Sequence, residues 1–168
     1  MTNTKSNIVL IGMPGAGKST VGIILAKNMA KEFIDTDIMI QTVEKRPLQE
    51  ILDSEGHMAL RAVEERILMT IDCHNSVIST GGSAAYSKRA MEHLREYGTV
   101  VFLHLNFEDL LKRIHNFETR GIAKREDQTF EGLYHERYLL YTKYADITIQ
   151  CCDLNQEEVA EAIQKEVC

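Results

Sequence analysis

The chain has 168 residues, 44% of them hydrophobic and 26% charged, with a formal net charge of −6. That length suits one domain with a full core, and the composition excludes a disordered chain. No apolar run approaches the ~20 residues of a membrane-spanning helix, and an acidic balance disfavours nucleic acid or an anionic membrane, both of which need a basic face.

The first residues, Met1–Ser6, show neither an apolar stretch nor an arginine-rich amphipathic pattern. No targeting segment is therefore expected, and the expected location is the cytoplasm. An apolar strand over Asn7–Gly12 runs into GMPGAGKST, residues 12–20. This fits the spacing G-x-x-x-x-G-K-[ST], with Gly12, Gly17, Lys18 and Ser19 at the fixed positions. Glycines let successive backbone N–H groups turn inward on phosphate oxygens, and a helix starting near Lys18 adds the positive end of its dipole. Lys18 is placed to reach the β/γ-phosphates of ATP, and Ser19 to hold Mg²⁺.

Further strands are expected at Phe33–Asp35, Val77–Ser79, Thr99–Leu105 and Asp146–Ile149, alternating with helical patterns. Alternation of this kind predicts an α/β fold with a five-stranded parallel sheet flanked by helices, in a single domain over residues 1–168. Ligands of such sheets sit beyond the carboxyl ends of the strands. There the chain carries the phosphate loop, then Asp35-Thr36-Asp37, then Ser79-Thr80-Gly81-Gly82-Ser83.

Between the second and third strands, Pro47–Asp72 reads as a helical insertion, with Leu60, Val63, Ile67 and Ile71 at helical spacing and Arg61 beside that stripe. Glu64 and Glu65 lie three and four residues after Arg61, where helix neighbours meet. The apolar pattern lapses over Asn116–Gln128, the natural place for a mobile loop. The helix that follows puts Phe130, Leu133, Tyr134, Arg137 and Tyr141 on one stripe. An arginine there must extend its charge to water or meet a buried anion, and the anion is the expected partner. The four cysteines (Cys73, Cys151, Cys152, Cys168) and six histidines form no C-x-x-C or H-E-x-x-H spacing, so structural thiols and no zinc site are expected.

Taken together, the loop at Gly12–Thr20, Asp35-Thr36-Asp37, LRAVEE around Arg61 and Glu64, Thr80-Gly81-Gly82 and Glu136-Arg137 resemble the shikimate kinases, nucleoside-monophosphate-kinase-like P-loop proteins. The likeness runs along almost the whole chain. It implies strand order 2-3-1-4-5, a substrate-binding helical region at about 37–72 and a lid at about 114–127. It implies ATP phosphates held by Gly12, Gly15, Ala16, Gly17, Lys18, Ser19 and Thr20, with Arg113 stacked on adenine and Arg120 as the lid arginine acting on the transferring group. Mg²⁺ is implied on Ser19 directly and on Asp35 and Ser79 through water. Asp37 is implied to hold and deprotonate the attacking hydroxyl of shikimate, or of a related hydroxy acid. Arg61 and Arg137 would clamp the acceptor's carboxylate, with Gly81 and Gly82 completing the substrate site of a monomer. Four positions depart from the pattern. Ser83 replaces a third glycine, Gly121 replaces the proline after the lid arginine, Leu60 replaces an aromatic residue, and no proline stands near Leu139. Two other readings stay open: a kinase of the same fold acting on another hydroxy acid or a nucleotide, and a nucleotide-dependent switch, for which Asp53-Ser54-Glu55-Gly56 supplies a D-x-x-G.

Overall fold

The computed structural model describes residues 4–114 and 121–168. Five parallel strands, β1 (Asn7–Ile11), β2 (Glu32–Asp35), β3 (Ser76–Ser79), β4 (Gly98–His104) and β5 (Ile147–Gln150), form one sheet in the order β2-β3-β1-β4-β5. Order and limits match expectation to within one residue at each strand end. The central strands β1 and β3 are wholly buried, whereas the edge strands β2 and β5 are partly exposed. A strand covered on both faces must be apolar throughout, which is why β1 reads NIVLI without alternation.

The helices are α1 (Lys18–Asn28), α2 (Thr36–Glu44), α3 (Leu48–Glu55), α4 (His57–Leu68), α5 (Lys88–Tyr97), α6 (Phe107–Arg113), α7 (Phe130–Tyr144) and α8 (Gln156–Val167). The main core joins the sheet to α1, α5, α7 and α8. No helix among the described residues is long and apolar enough to cross a membrane.

The expected helical stretch Pro47–Asp72 holds two helices, α3 and α4, and a third, α2, precedes it from Thr36, directly after β2. The reason is local. Asp35 caps α2 by accepting from the backbone N–H of Asp37 at 2.9 Å and Ile38 at 3.3 Å. Lys45, at φ 56°, ends α2, and Gly56, at φ 87°, separates α3 from α4. These helices carry a second, smaller core of Ile40, Ile51, Leu60, Ile67 and Ala123. Ile71, past the end of α4, joins the main core instead.

Sheet register positions the site. Ser79 lies opposite Leu10 on one side and Asp35 on the other, so the ends of β1, β2 and β3 stand side by side.

Candidate active site

The phosphate loop is held open by backbone conformation. Gly15 and Gly17 take φ of 87° and 95°, values that side chains rarely tolerate. α1 starts at Lys18 with no side-chain cap, so its first N–H groups face the loop. Lys18 Nζ donates to the carbonyl oxygens of Gly12 at 2.7 Å and Met13 at 2.9 Å. Burial pushes this ammonium down to about 8, with Asp37 opposing the shift. A phosphate beside it would favour the charged form again.

Ser19 Oγ donates to Asp35 Oδ2 at 2.6 Å and lies 3.3 Å from Ser79 Oγ. Register and loop thus bring three hard oxygen donors together. They fit Mg²⁺, which keeps several waters and is shared with phosphates rather than caged by protein. Among the described residues no group of three or more His, Cys, Asp or Glu could hold a metal ion by itself.

At the other end of the same cavity, Gly81 and Gly82 allow approaches that any side chain would block. A Cβ at Gly81 would stand 2.6 Å from Glu64 Oε1 and 2.7 Å from Asp37 Oδ1. One at Gly82 would stand 2.6 Å from Arg137 Nη1 and 2.9 Å from Pro14 Cδ. The turn is fixed by Gly81 N–H donating to Thr36 Oγ1 at 3.2 Å and by the Tyr141 hydroxyl donating to the Gly82 carbonyl. Burial raises the Asp37 carboxyl above its usual range, against the pull of Lys18.

Arg137 is 1% exposed. Its Nη2 donates to the Ala123 carbonyl at 2.7 Å, and its Nε has no hydrogen-bond partner among the described residues. A buried, permanent cation with an unused donor is a ready anion site, as the stripe of α7 led one to expect.

A single cavity of about 350 Å³ is lined by Lys18, Ser19, Asp37, Glu64, Gly82 and Arg137 among others. Gly15, Gly17, Thr20 and Gly81 also line it. Arg61 does not. It lies with its guanidinium 3.5 Å over the Tyr86 ring and lines a neighbouring cavity, reaching the first only through Ala123 O at 3.4 Å. The helix pairing expected for Arg61 is replaced, because Glu64 accepts from Ser83 and Glu65 from Ser87. Arg113 ends α6, exposed, close enough to oppose the upward shift of the buried Cys151 thiol. Arg120 and the rest of 115–120 lie outside the described residues. Of the expected lid, Gly121 takes φ 66° and donates its N–H to Gln49 Oε1 at 2.7 Å, and Ile122 and Ala123 are buried. A proline could do neither of the first two things.

Three of the four departures, Leu60, Ser83 and Gly121, line the cavity; Leu139 is 70% exposed and does not. The Asp53–Gly56 tetrapeptide lies at the end of α3 and follows no strand. Glu64 was not singled out as a site residue, yet it is 4% exposed and burial raises its carboxyl to about 7. Its signal was present: Leu60, Glu64, Ile67 and Ile71 share a helical stripe, and a charge on such a stripe is what drew attention to Arg137.

The chain is also similar to known proteins along nearly its whole length. The family model described as shikimate kinase matches residues 14–168. A shikimate kinase of Rippkaea orientalis is 36% identical over 96% of this chain and 85% of its own length. One from Rhizobium meliloti is 32% identical over 95% and 84%. The structure of shikimate kinase from Acinetobacter baumannii in complex with shikimate superposes with a TM-score of 0.87 at 30% identity, covering 98% of this chain and 94% of that one.

Proposed function

The chain belongs to the shikimate kinase family, and we propose how its residues divide the transfer of the γ-phosphoryl group of ATP to a hydroxyl of shikimate, giving shikimate 3-phosphate. Such a transfer asks the protein mainly for positioning and charge neutralisation. Backbone N–H groups from Gly12 to Thr20 hold the phosphates, and Lys18 neutralises the oxygens that gain charge. Ser19 would ligate Mg²⁺, with Asp35 and Ser79 holding its waters, and the ion would supply charge neutralisation at the phosphates.

Asp37 orients the attacking hydroxyl and accepts its proton; burial raises its carboxyl above the ordinary range, which makes the carboxylate a stronger base. Arg137 takes the acceptor's carboxylate, with Arg61 as a second, outer contact. The stacking of Arg113 on adenine and the action of Arg120 on the transferring group rest on the resemblance, as do 37–72 as acceptor region and 114–127 as lid.

One observation carries this reading: Lys18 and Ser19 share a cavity with Asp37, Glu64 and Arg137. A triphosphate and a hydroxylated anion therefore meet in one space. Two carboxylates at the acceptor end suit hydroxyl donors and repel the phosphate of a nucleoside monophosphate. A coupled ADP-release assay with shikimate, other hydroxy acids and nucleoside monophosphates tests it. ADP release that depends on shikimate is expected; release driven by a nucleoside monophosphate or gluconate, with none for shikimate, overturns the acceptor.

A further inference from the structure

Ser83 stands where the resemblance calls for a glycine, and the structure gives its extra hydroxyl a partner. That hydroxyl donates to Glu64 Oε2, and both residues are buried. A hydrogen bond to a carboxylate inside the fold is stronger than one between neutral groups. The other carboxylate oxygen, Glu64 Oε1, is buried and has no hydrogen-bond partner among the described residues. It hangs over Gly81 next to Asp37 Oδ1, since a Cβ on that glycine would touch both. Oxygens from α2 and α4 thus converge at the acceptor end of the cavity, one of them lacking a donor. A buried acceptor left unmade is costly, and a ligand hydroxyl would relieve it.

Ser83 and Glu64 also form the shared wall between this cavity and its neighbour of about 340 Å³, where Arg61 rests on Tyr86. The cations that act on the Glu64 carboxylate, those of Arg137 and Lys18, both line the first cavity.

We propose that Ser83 is a positioning residue for the acceptor: by fixing Glu64 Oε2 it aims Glu64 Oε1 at a second acceptor hydroxyl, beside the one held by Asp37, an assignment that rests on the shikimate reading of this site. Glu64 then recognises a vicinal or nearby hydroxyl of a polyhydroxylated ring, and Ser83 acts only through Glu64.

A double-mutant cycle tests this, with Ser83→Ala, Glu64→Gln, the double variant and Ser83→Thr, each checked for folding by its melting curve and nucleotide affinity. Ser83→Ala is expected to raise the acceptor KM about tenfold while kcat and nucleotide KM stay within about twofold. The double variant should be no worse than Glu64→Gln alone, and Ser83→Thr should restore most of the acceptor affinity. An acceptor analogue lacking the recognised hydroxyl should be insensitive to Ser83→Ala. An unchanged acceptor KM in Ser83→Ala overturns the proposal, as do penalties that simply add in the double variant, or kcat and nucleotide affinity falling together. Turnover of shikimate by the wild type is scored separately. If the wild type prefers another hydroxy acid, the cycle is run with that acceptor and still decides the role of Ser83.

Discussion

At the phosphate end of the cavity, the phosphate-holding groups belong to one unbroken run from Gly12 to Thr20 and act largely through backbone N–H, with Asp35 and Ser79 added beside Ser19 from neighbouring strand ends. At the acceptor end, Asp37, Glu64, Gly82 and Arg137 come from α2, α4, the turn after β3 and α7, and act mainly through side chains. The first end is fixed by local dihedrals, so it survives as long as its glycines do. The second end is fixed by packing, including the small core of Ile40, Ile51, Leu60, Ile67 and Ala123 that holds α2 to α4. Damage to that core is therefore expected to reach the acceptor and spare the nucleotide.

The largest effects should separate the two ends outright. Lys18→Ala and Asp37→Ala are each expected to cut kcat by about 10²–10³-fold or more. Calorimetry should find nucleotide binding greatly weakened only in Lys18→Ala; an equal loss in both variants would erase the division. Next, Arg137→Ala should weaken acceptor binding by about 2–5 kcal/mol, the cost of removing one partner of a buried charge pair, with nucleotide affinity changing far less. Arg61→Ala should cost less than that, because Arg61 lies outside the main cavity on Tyr86. Acceptor KM values of the two variants rank them.

A smaller effect lies in stability. Burial holds the Glu64 carboxyl at about 7 against its ordinary 4.5. Between these values the folded state keeps a proton that the unfolded chain has lost, so this group's stability contribution is full below about 4.5 and falls as pH rises through about 7. Glu64→Gln should remove that slope, stabilising the ligand-free protein by up to about 3 kcal/mol near pH 8 and by almost nothing near pH 4. Denaturant titrations at the two pH values measure it, and an equal shift at both would mean that the carboxyl titrates normally. Smallest of all, Leu139→Ala should leave acceptor KM unaltered and stability within about 0.5 kcal/mol, as for an exposed side chain away from the cavity.

The sheet was legible because strand, turn and helix patterns alternate in chain order, and the phosphate loop because its chemistry is contiguous. Asp35-Thr36-Asp37 drew notice as ligands, which hid their other role as the start of α2: one oxygen of Asp35 caps that helix while the other faces Ser19. The stripe of α4 marks Glu64 as buried, but its partner is not legible, because spacing within a helix pairs it with Arg61 whereas the tertiary contact to Ser83 wins. No local pattern reveals a partner 19 residues away. Arg61 illustrates the same limit, since the ring it lies on belongs to the turn after β3.

Gly82 stands at the seam of the two halves of the site, since a Cβ there would meet both Pro14 of the phosphate loop and Arg137. The missing side chain is therefore the room that lets the phosphate loop and the guanidinium come close together. A displacement of about 1 Å between reacting groups can cost about 10²-fold in rate. A methyl group added at Gly82 would press on the loop and on Arg137 at once, and is expected to disturb both ends of the transfer.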